Sequence, residues 1–118
     1  EERLRFPPMN HIGELDRAEV RTFHALALAR LGRLAEAREA LAPALAYYAK
    51  LPDAREADWV RSRVATARLA QALVNPAEAQ ARLAEAAQLI DGLTPEYRRT
   101  ATIVQMRNEI ALEQVARR

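Results

Sequence analysis

The chain has 118 residues, no cysteine and a formal net charge of +2. That length supports one compact domain with a modest core. The lack of cysteine excludes disulfides and thiolate metal sites without fixing the compartment, and no apolar run approaches the roughly 20 residues needed to cross a bilayer. Nearly all the positive charge is arginine, with Lys50 the sole lysine, and it is interspersed with acids rather than gathered into basic runs. This argues against nucleic acid as a partner. Glu78 with Arg82, Asp58 with Arg61, and Glu113 with Arg117 stand at helical pair spacing and are expected to form solvated ion pairs.

Alanine makes up about a fifth of the chain, glycine is rare, and β-branched residues are few. No useful stretch alternates with period two, so the chain is predicted to be all-α. It begins at Glu1, not Met, without a charged-then-apolar leader, and is read as a piece of a larger protein. A soluble, cytoplasmic protein without membrane attachment is expected.

Start and stop signals predict five helices. Residues 1–16, with Phe6-Pro7-Pro8-Met9, are expected to be an irregular lead-in. Asp16 followed by Glu19 forms a capping-box pattern that predicts a first helix over about 17–31, stopped by the left-handed turn that Gly32 permits. The second helix is expected over 34–50. Pro43 inside it removes one backbone donor, which predicts a kink or a split near Ala42. Asp53 and Glu56 repeat the capping pattern and open a third helix, about 54–74. Asn75-Pro76-Ala77-Glu78 is a strong start for a fourth, ending near Asp91-Gly92. Thr94-Pro95-Glu96 opens a fifth, about 95–116.

A block recurs 42 positions apart. Ala25, Ala37, Leu41 and Ala44 return as Ala67, Ala79, Leu83 and Ala86. Each copy spans helix, tight turn and helix, which indicates a duplicated hairpin that must stack to bury its apolar face. Repeat one covers about 17–50, repeat two about 54–91, and the fifth helix closes the array.

The run Leu31-Gly32-Arg33-Leu34-Ala35-Glu36-Ala37, followed by Leu41, Ala44 and Leu45, resembles the middle of a tetratricopeptide repeat. The second copy keeps Glu78-Ala79, Leu83 and Ala86, but has Val74 in place of the glycine and Ala87 in place of the leucine. Arg21 and Arg63 stand where that family has an early aromatic, and the period is longer than its usual one. The resemblance implies an α-α superhelix and a role in protein–protein interaction. It places Glu19, Thr22, Phe23, Leu26, Ala29 and Arg30, then Arg61, Val64, Ala65, Arg68 and Gln71, along a concave groove. Eight of these are the candidate partner-binding residues: Thr22, Phe23, Leu26, Arg30, Arg61, Val64, Arg68 and Gln71. Such a groove would suit an extended or helical peptide with apolar anchors and acidic residues, because arginine binds carboxylates bidentately. The co-chaperone members clamp a C-terminal carboxylate with lysine and asparagine. Thr22, Phe23, Leu26 and Ala29 stand at those positions, which argues against that role.

No catalytic, metal or cofactor constellation emerges. His24 has no orienting carboxylate, nucleophile or second ligand within four residues and is expected to be a partly buried packing residue; His11 is expected to be solvated. Ser62, the sole serine, has no glycine elbow, and Gly13, Gly32 and Gly92 are isolated. Tyr47, Tyr48 and Trp59 are expected to cover the seam between the repeats. The expected function is a non-enzymatic interaction or scaffold module, the C-terminal part of a larger bacterial-type signalling or regulatory protein. Alternatives are a ligand-sensing helical domain of a transcription activator, and self-association through an apolar helix face exposed at the start of the array.

Overall fold

Alanine-rich segments punctuated by glycine and proline fold here as helices, as their propensities dictate. The computed structural model describes residues 11–50 and 57–117, and every regular element among them is helical. The helices are α1 (His11–Arg30), α2 (Leu34–Lys50), α3 (Asp58–Val74), α4 (Ala79–Asp91), α5 (Pro95–Arg98) and α6 (Ala101–Ala116), with a 3-10 turn at Pro76–Glu78 leading into α4.

Six helices thus replace the expected five. Thr100 adopts an extended conformation, φ −66° and ψ 147°, and its hydroxyl donates to the Tyr97 carbonyl at 2.8 Å. A threonine hydroxyl competes with the helical ladder in this way, so the segment from Pro95 breaks into α5 and α6. The start of α1 also differs. It lies at His11, with Glu14 in the first turn to favour the positive end of the helix dipole. Asp16 and Glu19 are therefore not a cap. They lie within α1, where both pair with Arg63, at 3.9 and 3.1 Å. The expected capping pattern at Asp53 and Glu56 lies outside the described residues, as do residues 1–10. Pro43 does not split α2, which runs unbroken to Lys50.

The helix ends are satisfied by identifiable groups. Gly32 takes φ +82°. Its N–H donates to the Ala29 carbonyl and that of Arg33 to Leu28, both at 3.0 Å, which is the two-bond termination that a left-handed residue makes possible. At the equivalent end of α3 no glycine is present. There the Arg38 guanidinium reaches across from α2 and donates to the Val74 carbonyl at 2.6 Å. All three predicted ion pairs form: Arg82 with Glu78 at 3.0 Å, Arg61 with Asp58 at 3.7 Å, and Arg117 with Glu113.

α1 packs chiefly on α2 and α3 on α4, giving two helical hairpins. α3 also lies on both helices of the first hairpin, and α6 lies on α4 and touches α3. The repeated block marks the seam of each hairpin. All eight of its residues, from Ala25 to Ala86, are at most 2% exposed. Small residues at these points let the helix axes approach, while Leu41 and Leu83 fill the space beside them. α3 is the most enclosed helix, with nine buried residues from Ser62 to Val74.

Tyr48 is buried at the joint between the repeats, and Tyr47 packs beside it with ring centroids 5.7 Å apart. Trp59, at the start of α3, is 41% exposed, with the Arg63 guanidinium 5.6 Å from its ring.

Two predictions follow from the packing. Ala44→Glu places an unpaired charge in the first seam, at a cost of roughly 3–5 kcal/mol. That consumes much of the stability of a domain this size, so thermal melting by circular dichroism is expected to show loss of the cooperative transition. For Tyr48, burial pushes the phenol up to about 12 from 10.0. Below pH 10 folded and unfolded forms are both protonated. Between those values the unfolded phenol loses its proton first, so stability falls as pH rises. The Tyr48 hydroxyl lies beside Thr22, whose own hydroxyl already donates to Ala18. Tyr48→Phe is therefore expected to change neutral-pH stability by less than about 1 kcal/mol. Urea titrations at rising pH are expected to show a smaller alkaline loss in the variant than in the wild type.

Candidate functional site

The helices that begin the two hairpins, together with α6, wall a cleft of about 190 Å³. α1 contributes Phe23, Leu26 and Arg30; α3 contributes Thr66 and Leu69; α6 contributes Thr102, Gln105, Met106 and Glu109. The floor is apolar, with Leu26 and Leu69 buried and Phe23 half exposed at the rim. The Thr66 hydroxyl donates to the Ser62 carbonyl at 3.0 Å and lies 3.5 Å from the Met106 sulfur. The two charges at the cleft, Arg30 and Glu109, form an ion pair with each other. The cleft is thus electrically neutral, and it is smaller than the 300 Å³ or so at which ordinary ligand pockets begin.

The eight residues expected to share one groove are divided among several places. Phe23, Leu26 and Arg30 line the cleft just described. Thr22 is buried, its hydroxyl donating to the Ala18 carbonyl at 2.8 Å. Arg61, Val64 and Arg68 line a different furrow, of about 480 Å³, against Glu85, Gln88, Leu89 and Gly92 of the second hairpin. Gln71 borders a third, between α2 and α3. The division has a geometric cause. Positions 61, 64 and 68 run along the α4 side of α3, whereas its side toward α1 and α6 carries Thr66 and Leu69.

The two arginines expected to read carboxylates already serve the fold. Arg61 donates to the Gly92 carbonyl at 2.7 Å and so satisfies the end of α4. Arg68 pairs with Glu85 at 3.1 Å and donates to Gln71 at 2.8 Å. Glu85 also accepts from Arg82 at 2.6 Å; Glu85 and Glu78 together hold the Arg82 guanidinium above its usual pKa. This is a framework that locks α3 to α4.

His24 is exposed rather than buried. It lies on an outer furrow between α1 and α2 with Val20, Leu28 and Pro43, because its helical position faces away from the seam that Ala25 occupies. Ser62 is buried, its hydroxyl donating to the Trp59 carbonyl at 3.1 Å. Among the described residues no group of three His, Asp or Glu side chains is placed to hold a metal ion, and no helix is long and apolar enough to cross a membrane.

Thr66, Leu69, Thr102, Gln105 and Met106 were not among the sequence-derived candidates. The repeat pairs Phe23 with Ala65 and Leu26 with Arg68, so it points to neither Thr66 nor Leu69. The α6 residues carry no repeat signal.

No protein-family model matches this chain, and neither does any curated protein or solved structure.

Charge reversal at both arginines tests their structural role. Arg61→Glu with Arg68→Glu is expected to lower stability by about 1 kcal/mol, the scale of partly exposed pairs. That corresponds to a fall in melting temperature of roughly 4–8 °C, measured by thermal circular dichroism.

Proposed function

We propose that this chain is a tetratricopeptide-like helical-repeat module, wound as an α-α superhelix, that holds another polypeptide without catalysing a reaction. What supports this reading is the repeat itself: the block that defines it is buried at the same seam in both hairpins. A hairpin stack of this kind presents the first helices of successive units side by side. Here those helices, α1 and α3, share a cleft with α6.

The chemistry of that cleft selects the partner. Its floor is apolar, and its two charges neutralise one another. It offers nothing to an acidic peptide and suits one apolar side chain presented by a helix or an extended segment. This differs from the groove expected of the sequence, where Arg61 and Arg68 were to read carboxylates. Those arginines are engaged with Gly92, Asp58, Glu85 and Gln71.

The test is affinity capture with the wild type and with Phe23→Glu, Gln105→Glu. Both positions are exposed, so the double variant is expected to keep its helix content. Loss of bound proteins from the variant, with Arg61→Glu, Arg68→Glu still retaining them, is the expected outcome. Equal retention by the wild type and the cleft variant would contradict the assignment.

A further inference from the structure

Two apolar stripes lie bare, one at each end of the helix stack. Val20 and Ala27 of α1 and Leu31, one residue past its end, share one helical face by their spacing, and Val20 and Leu31 are 67% and 70% exposed. The 42-residue repeat equates these three with Ser62, Leu69 and Leu73 of α3. There the first two are buried and the third packs on the core. Leu69, with Thr66, meets Phe23 and Leu26 of α1. The side of α3 that lies on α1 therefore corresponds, one repeat earlier, to an exposed side of α1, whose Val20 and His24 border the outer furrow with Glu36 and Pro43 of α2.

At the other end, α6 buries Ile103 and Ile110 against the stack. Val104, Leu112 and Val115 lie on its opposite face, 46%, 71% and 57% exposed. A helix that ends a stack normally turns a polar face outward; one that is apolar on two sides is suited to burial on both.

We propose that copies of this chain associate head to tail, with the α6 stripe of one copy seating the α1 stripe of the next. The observation that selects this occupant is continuity. α3 lies on α1, α6 lies in turn on α3 and α4, and α1 of a second copy supplies the next helix of the series. Its bare face is the one that the repeat equates with an internal joint. His24 and Ala27 lie between Val20 and Leu31 on the first stripe, and Asn108 and Ala111 between Val104 and Val115 on the second, so each stripe is apolar at its ends with one polar side chain between. Such a contact is heterologous, so it propagates beyond a dimer unless its rotation closes a ring. The proposal rests on the stacked-repeat reading above but not on the cleft.

Sedimentation velocity across the micromolar range tests it with two double variants. Val20→Glu, Leu31→Glu blocks the α1 end; Leu112→Glu, Val115→Glu blocks the α6 end. The wild type is expected to gain mass with concentration beyond a dimer. Each variant alone is expected to be monomeric, and an equal mixture of the two to form a one-to-one dimer and nothing larger. A wild type that stays monomeric throughout would overturn the proposal. So would dimers of either variant alone, or a mixture that stays monomeric. Circular dichroism checks the fold; if either glutamate pair unfolds the chain, the corresponding serine pairs carry the same test. Loss of association with capture at the cleft intact would separate this contact from the proposed partner site.

Discussion

The close approach of paired helices through alanine is the constraint on which the rest of this structure depends. Ala25 meets the first seam and Ala67 the second, each opposite a helix that presents alanine, leucine and alanine at fixed spacing. A side chain larger than a methyl group at these points would drive the axes apart and open voids that a core of this size tolerates poorly. Because the seams are narrow, α3 can be covered on several sides at once, and it becomes the enclosed centre of the molecule. Among the described residues most of the large exposed apolar side chains lie on or beside α1 and α6, with Trp59 the exception at the start of α3.

A second requirement is that the ends of closely packed helices keep their backbone groups satisfied. Arginine does much of this work. Arg38 takes the last carbonyl of α3, where the first repeat has a glycine turn instead. Arg61 takes the Gly92 carbonyl just beyond α4. Arg63 ties α3 to α1 through Asp16 and Glu19 while lying against Trp59. The arginine-rich composition, which on its face suggests an anionic partner, is thus largely engaged with the chain's own carbonyls and neighbouring carboxylates. The same chemistry that would read a ligand's carboxylate is used to lock one helix to the next.

The all-helical class, the duplicated seam and the Gly32 stop could be read from the sequence because each depends on local signals: propensity, small-residue spacing and a residue free to take positive φ. The break at Thr100 could not, since a hydroxyl bonding to Tyr97 competes with a helix that the residues around it otherwise favour. Asp16 and Glu19 imitate a cap, yet their partner is Arg63, more than forty positions away. The candidate site was legible in part. Phe23, Leu26 and Arg30 do lie together, but the α3 residues that join them are set by how α3 rolls against α1 and α6, a tertiary fact that spacing within α3 does not encode. His24 illustrates the same limit: one position from Ala25 along the helix, it faces out while its neighbour faces the seam.

The equivalence of the two alanine seams is open to direct measurement by NMR with alanine methyl labelling. If the hairpins are copies, the Ala25 methyl should show cross-peaks to Ala37 or Ala44, and the Ala67 methyl should show the matching set to Ala79 or Ala86. Matched networks in the two halves would establish that one packing solution is used twice. Cross-peaks from Ala67 to the alanines of α2 in place of those of α4, or a seam in only one half, would contradict the repeat and with it the stacking order from which the function is argued.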